Sequence, residues 1–496
     1  MGDSKPERSP LRKCYYRFSS PIARDAMNHN ETFETVESLE AELVSLTESL
    51  WEQPELGLHE TESAELLSSV LRDAGFDITE GIGGMPTAFS ATYGEGEPHV
   101  GILGEYDALP GLSQTVSSNR DPVEAGAPGH GCGHNLFGVA GVGAALAAKR
   151  AIDDGRAEGT VTFFGCPAEE ILVGKVFMAR DGAFDDLDAA LTWHPSHLSA
   201  PFMAQTLAMN SVEYTFHGES AHAADSPQSG RSALDAVELL NTGSEFMREH
   251  VSDDARIHYT IPDGGGAPNV VPAEATAWFY VRAPTRDEVD RITDWLDDVA
   301  EGAALMTQTT VSRRFHTGCY DYVANHALSD ALLENMRLAG PIPYTDEDRE
   351  FAAELQETLS AETIEARTAQ LSEERREAAR SSVLYPDAQP SYDVGTVLNG
   401  STDVGDVSWI TPTAQFWAAS WPVGTPSHTW QAVAANGSFG SKAAVYAAKV
   451  LAATTLDLFS DEALVAAARE EFEASVPGDY ECALPEGTEP PFHLTL

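Results

Sequence analysis

Between residues 34 and 205, short apolar runs alternate with segments of helical period, and this constrains the fold more than any other feature. Residues 34–51 read as an amphipathic helix. A second starts near Thr61, with Leu66, Leu67, Val70 and Leu71 on one face and Gly75 as its stop. Strands are predicted at 99–103, 160–164 and 189–193, with an Ala- and Gly-rich helix over 136–152. Alternation of this kind predicts an open α/β sheet covered by helices. Near residue 206 the pattern changes. Strands at 211–217, 256–261, 275–282 and 311–315, with helices at 232–248 and 286–299, read as a compact βαββαβ module inserted into the first domain. The α/β pattern then resumes and closes with a helix over 440–453. Within it, 346–382 is a highly charged, helical insertion. The predicted layout is a tail (1–32), a first catalytic part (33–205), an inserted α+β module (206–320) and a second catalytic part (321–496).

The chemistry-bearing residues fall at predicted strand ends, where open α/β sheets place their sites. Cys132 and His134, two apart in His130-Gly131-Cys132-Gly133-His134-Asn135, can point at one metal while the glycines bend the backbone. Glu169 and Glu170 follow the 160–164 strand. Adjacent carboxylates repel, so one can bind a metal while its neighbour holds a water as general base. His194 ends another strand. Asp107 lies at a fourth strand end and can orient a ligand from behind. His428 sits in a turn before the final helix. A closed structural zinc site is disfavoured, because no second Cys pair exists.

In order, Glu-Tyr-Asp-Ala-Leu-Pro-Gly (105–111), Pro-Gly-His-Gly-Cys-Gly-His-Asn (128–135), Pro-Ala-Glu-Glu (167–170), Trp-His-Pro (193–195), Ser-Ala-His-Ala-Ala (220–224), Gly-Gly-Ala-Pro-Asn-Val-Val-Pro (265–272), Gly-Ser-Thr-Asp-Val-Gly-Asp-Val-Ser-Trp (400–409) and Pro-Ser-His-Thr-Trp (426–430) resemble the M20 metallopeptidases. The similar subgroup contains amidohydrolases whose first ligands are Cys and His. The resemblance implies a zinc-exopeptidase-like catalytic domain carrying a lid and dimerisation module. It implies that Cys132, His134, Glu170, His194 and His428 hold two divalent ions, zinc or manganese, with Glu169 as base and Asp107 in support. It implies that His222, in the lid, stabilises the oxyanion in the partner's site of a homodimer. Asn269 and Arg282 would help hold a substrate carboxylate. The implied reaction is amide hydrolysis of an N-acyl or N-aroyl amino acid such as p-aminobenzoyl-glutamate. A dipeptidase, an aminoacylase and a non-catalytic partner subunit are the alternatives. Position 105 departs from the His-x-Asp with which many members begin their site.

Charge sets the setting. Lys and Arg total 30 against 78 Asp and Glu, a net charge of −48 spread along the chain. Such a surface repels nucleic acid and anionic lipid and suits a salt-rich cytoplasm that screens self-repulsion. Lys5, Arg8, Arg12 and Lys13 are followed by no apolar stretch, so no secretory signal is expected. No apolar run is long enough to suggest a membrane span. Five scattered cysteines imply no disulfide framework. Cys166 and Cys319 read as buried apolar residues. His59, His99, His197, His258, His316 and His326 have no partner motif and are read as structural. The glycines at 138, 141 and 143 read as close helix–sheet packing.

Overall fold

The structure, a computed structural model, describes residues 29–476 and 478–494. Most of the segment read as a tail, with Lys5, Arg8, Arg12, Lys13 and Cys14, lies outside the described residues. A helix, Asn30–Ser38, begins inside its predicted end. The helix expected over 34–51 is two helices, Asn30–Ser38 and Glu40–Glu52, meeting at Leu39. At the junction the Ser38 hydroxyl donates to the Thr35 carbonyl at 2.6 Å, a local bond that competes with continuing the ladder.

Among the described residues, eleven strands form two sheets: β1 Asp77–Glu80, β2 Phe89–Glu95, β3 His99–Glu105, β4 Gly159–Cys166, β5 Ala189–Ser196, β6 Ala200–Phe202, β7 Ala208–His217, β8 Arg256–Asp263, β9 Glu274–Ala283, β10 Thr310–Cys319 and β11 Thr413–Ala419. The larger sheet has the order β1-β2-β4-β3-β5-β11-β6. Its centre is parallel (β4, β3, β5, β11), and antiparallel partners close both edges. The smaller sheet, β10-β7-β9-β8, is antiparallel throughout, and all its strands come from between Ala208 and Cys319. Helices Ala233–Met247 and Arg286–Thr307 cover it, giving the order βαββαβ.

Small residues let the main core close tightly. Helix His134–Asp153 lies on the sheet beside helix Gly440–Ser460. A Cβ at Gly141 would stand 2.7 Å from the Phe163 ring, and one at Gly143 2.8 Å from Leu43. Cys166 and Cys319 are fully buried. Gly440–Ser460 is, against expectation, long and apolar enough by length and composition to cross a membrane. Most of it is buried inside the fold, and burial on all sides produces the same composition as lipid contact. The charged insertion comprises helices Asp346–Glu357, Ala361–Thr368 and Glu373–Ser381. Leu371 and Ala379 dock it against Leu198 and Val423.

Candidate metal centre

The parallel strands end at one place, and their ends carry the candidate ligands. β3 leads into Asp107, β4 into Glu169 and Glu170, and β5 holds His194 near its end. Helix His134–Asp153 begins at the site behind Gly133, whose φ of 84° and 2.8 Å approach to Pro195 exclude a side chain. The two glutamates sit between Ala168 and Leu172, at φ 55° and 56°; His428 is at φ 61°. Left-handed backbone at non-glycine residues costs free energy and persists where surrounding contacts over-determine it. Here the Ala168 N–H donates to buried Glu60 at 2.7 Å, and the His428 N–H to the Gly131 carbonyl at 2.9 Å.

Two triads of donor atoms, each set within 4.8 Å, result: Cys132, His134 and His194, and Cys132, Glu170 and His428. Cys132 belongs to both. A third triad, Glu105, His134 and Glu169, adjoins them. His134 Nδ1 donates to Asp107 Oδ1 at 2.8 Å, which leaves Nε2 as its inward atom. Asp107 Oδ2 accepts from the Glu170 N–H at 2.9 Å, so one carboxylate orients two candidate ligands. His194 Nδ1 donates to the Pro195 carbonyl at 2.7 Å, and its Nε2 lies 3.3 Å from Cys132 Sγ. His428 Nε2 lies 3.3 Å from Glu170 Oε2, on a half-exposed side chain at the mouth.

Glu170 Oε1 is buried without a hydrogen-bond partner, and buried His134 Nε2 and Glu105 Oε2 face each other at 3.2 Å without forming a hydrogen bond. Orphaned polar atoms buried this way are costly, and together with a thiol, imidazoles and carboxylates they fit divalent cations as partners. The electrostatics agree. Burial pushes Glu170 up to about 8, with His134 opposing. Glu169 is raised well above the carboxylate range by burial and then by Glu105. Burial also raises the Cys132 thiol and lowers His194 to about 3, so the imidazole is neutral. Bound cations reverse the carboxylate and thiol shifts, because they favour the ionised donors.

Behind the triads lies a group that the sequence does not single out. Lys175 is fully buried, with Nζ 2.6 Å from both Glu105 Oε1 and Asp403 Oδ1, and its N–H donates to Asp403 Oδ2 at 2.8 Å. Glu105, where a His-x-Asp motif would put histidine, is thereby a lysine partner. Removing one member of a buried charge set costs about 3–5 kcal/mol. Lys175 leaves one trace in the sequence: one of six lysines, it stands in an apolar stretch, Val173–Met178.

The site opens into a cleft of about 500 Å³. Arg282, on β9, lines it, its Nε buried without a partner. His222 and Asn269 do not line it. Both are exposed on the lid, where the Ala223 N–H donates to the Asn269 carbonyl at 3.0 Å. The cleft lining also includes Arg367, from the charged insertion, a residue no sequence motif marks.

Residues 208–305 match the peptidase dimerisation domain of M20 proteins. Over 468 residues the chain is 42% identical to one of the subunits of the p-aminobenzoyl-glutamate hydrolase of Escherichia coli, covering 92% of this chain and 97% of that protein. The chain belongs to the M20 family. This M20 amidohydrolase is also 30% identical to the Xaa-Arg dipeptidase of Mus musculus, over 89% of its length and 91% of the relative. Its fold is shared with an aminobenzoyl-glutamate utilization protein of Klebsiella pneumoniae, with a TM-score of 0.54 at 17% identity, covering 83% of this chain and 97% of that one.

Proposed function

We propose that this M20 amidohydrolase cleaves the amide bond of N-aroyl amino acids, p-aminobenzoyl-glutamate foremost, at a two-metal centre completed by a second subunit. One observation carries the reading: two donor triads share Cys132 beside a carboxylate, Glu169, that belongs to neither. The substrate follows the E. coli relative. Cys132, His134 and His194 would hold one ion, and Cys132, Glu170 and His428 the other, as zinc or manganese. Bound there, the ions supply Lewis acidity and lower the pKa of a water.

The chain's own groups do the rest. Glu169 takes a proton from the attacking water, whose oxygen bonds to the amide carbon. As the C–N bond breaks, Glu169 returns the proton to the leaving amine. Asp107 keeps His134 in the tautomer whose Nε2 faces inward. Arg282 binds the substrate carboxylate, and Asn269, on the lid beside His222, would join it only from a partner subunit. His222 serves a partner's site. Its Nδ1 accepts from the N–H groups of Ala224 and Asp225, at 3.2 and 3.1 Å, so the neutral ring carries its proton on Nε2, ready to donate to an oxyanion. The lid offers β8 as a free sheet edge with Tyr259 and Ile261 exposed, a surface for joining a second copy of this chain or a related one. The four described cysteines are unpaired, in keeping with a reducing cytoplasm.

The test is a panel of N-aroyl and N-acyl amino acids and Xaa-Arg dipeptides, assayed in molar KCl after loading with Mn²⁺ or Zn²⁺. Release of p-aminobenzoate from p-aminobenzoyl-glutamate is expected. Metal-loaded protein that leaves every N-acyl amino acid intact rejects the proposal. Preference for Xaa-Arg dipeptides would transfer the site to a dipeptidase reading, against which the cationic side chains of Arg282 and Arg367 weigh.

A further inference from the structure

Arg367, on helix Ala361–Thr368 of the charged insertion, lines the same cleft as the metal triads. Its surroundings are unusual for a chain with 78 acidic residues to 30 basic ones. Its side chain is exposed to the cleft, and among the described residues no carboxylate pairs with it. The nearby carboxylate on the wall, Asp393, is already engaged: Oδ1 accepts from the Met203 N–H at 3.0 Å and the Ser391 hydroxyl at 2.7 Å.

A second, independent observation lies beside it. His197, three residues beyond His194, is 3% exposed and lines the cleft, yet its Nδ1 has no hydrogen-bond partner. Burial, then the Arg367 charge, lowers His197 to about 3, so a neutral ring offers one N–H next to a guanidinium. Ser401 adds a buried hydroxyl, also without a partner, on the same lining. An unpaired guanidinium with adjoining idle donors is the chemistry of a carboxylate subsite. The insertion is held to this register. A Cβ on Gly424 would come within 2.8 Å of Ile364, and Gln356 Nε2 donates to the Val423 carbonyl at 2.9 Å.

We infer that Arg367, with His197, forms a second anion subsite that binds the side-chain carboxylate of an N-acyl dicarboxylic amino acid, and so determines specificity for glutamate-like substrates. The inference rests on the amidohydrolase reading above for the substrate's orientation. Arg282 serves the α-carboxylate from the lid, while Arg367 reads the side chain from the insertion. A glutamine side chain would forfeit the charge, and an arginine side chain would meet like charge.

Two measurements test it, on the metal-loaded full chain and on Arg367→Gln. The first is the ratio of kcat/KM for p-aminobenzoyl-glutamate over p-aminobenzoyl-glutamine. It is expected to fall roughly 10- to 100-fold in the variant, the range for losing a charged hydrogen bond. Arg367→Glu should lower it further and raise relative activity on N-aroyl-arginine. The second needs no turnover: glutarate should raise the melting temperature of the wild-type protein and have less effect on Arg367→Gln. An unmoved ratio, or an equal glutarate shift in both proteins, overturns the subsite. Loss of all hydrolysis of N-acyl amino acids by the wild type would sink the functional proposal instead, and the glutarate comparison would still decide the subsite.

Discussion

Glu169 and Glu170 are neighbours in sequence but meet different partners. Glu170 is fixed by its N–H on Asp107 and its carboxylate on His428, whereas Glu169 faces His134 at 3.9 Å and belongs to the triad with Glu105. On the proposed reading, this difference would separate a ligand, Glu170, from a base, Glu169. Glu169→Gln is expected to keep the metal content and lose roughly 10²–10⁴ in turnover, the range for a general base. Cys132→Ala is different, since Cys132 is the donor common to both triads. It should cost metal at both positions, read as ions per chain by elemental analysis, along with activity. Two near-native variants would mean that the site is misassigned. The pair is legible in sequence because its strand and its Cys-Pro-Ala approach look buried. Lys175 is not, because nothing local shows that one lysine will meet Glu105 and Asp403, 70 residues before it and 228 after it.

Among the elements, the lid and the insertion approach the cleft by different routes. β9 brings Arg282 to it, while His222, exposed on the turn between β7 and helix Ala233–Met247, does not line it. If His222 acts in a partner's site, two inactive variants should complement each other. Glu169→Gln mixed with His222→Ala, under conditions that exchange subunits, gives heterodimers with one doubly defective and one intact site. Partial return of activity is expected, and none despite proven exchange rejects the trans role. Charge and period alone mark the insertion as helical. Its contact with Gly424, four residues before His428, is beyond local reading because it depends on Ile364 arriving from a different segment.

At the scale of the whole molecule, net charge dominates. With −48 distributed along the chain, repulsion in dilute buffer acts over a screening length of about 10 Å, reduced to about 3 Å at 1 M salt. The melting temperature should therefore rise between about 0.1 M and about 2 M KCl. A flat or falling profile would show that repulsion does not limit stability. The same excess of carboxylates makes each cation beside the cleft informative: buried Lys175 is held by two acids, and exposed Arg367 by none among the described residues.

What the sequence determined by itself was periodic or contiguous. The alternation of strands and helices, the inserted βαββαβ order and the ligand types at strand ends are all local, because strand and helix periods repeat within a few residues and a strand end delivers whatever follows it. Tertiary structure decided which donors share an atom, which partners each glutamate meets, and which cations remain unpaired. It also decided that β11, a seven-residue strand with little local signal, pairs with β5 to seat His194. These are properties of segments up to hundreds of residues apart. They exist only once burial has brought charges together in a low dielectric, where the presence or absence of a partner is worth several kcal/mol.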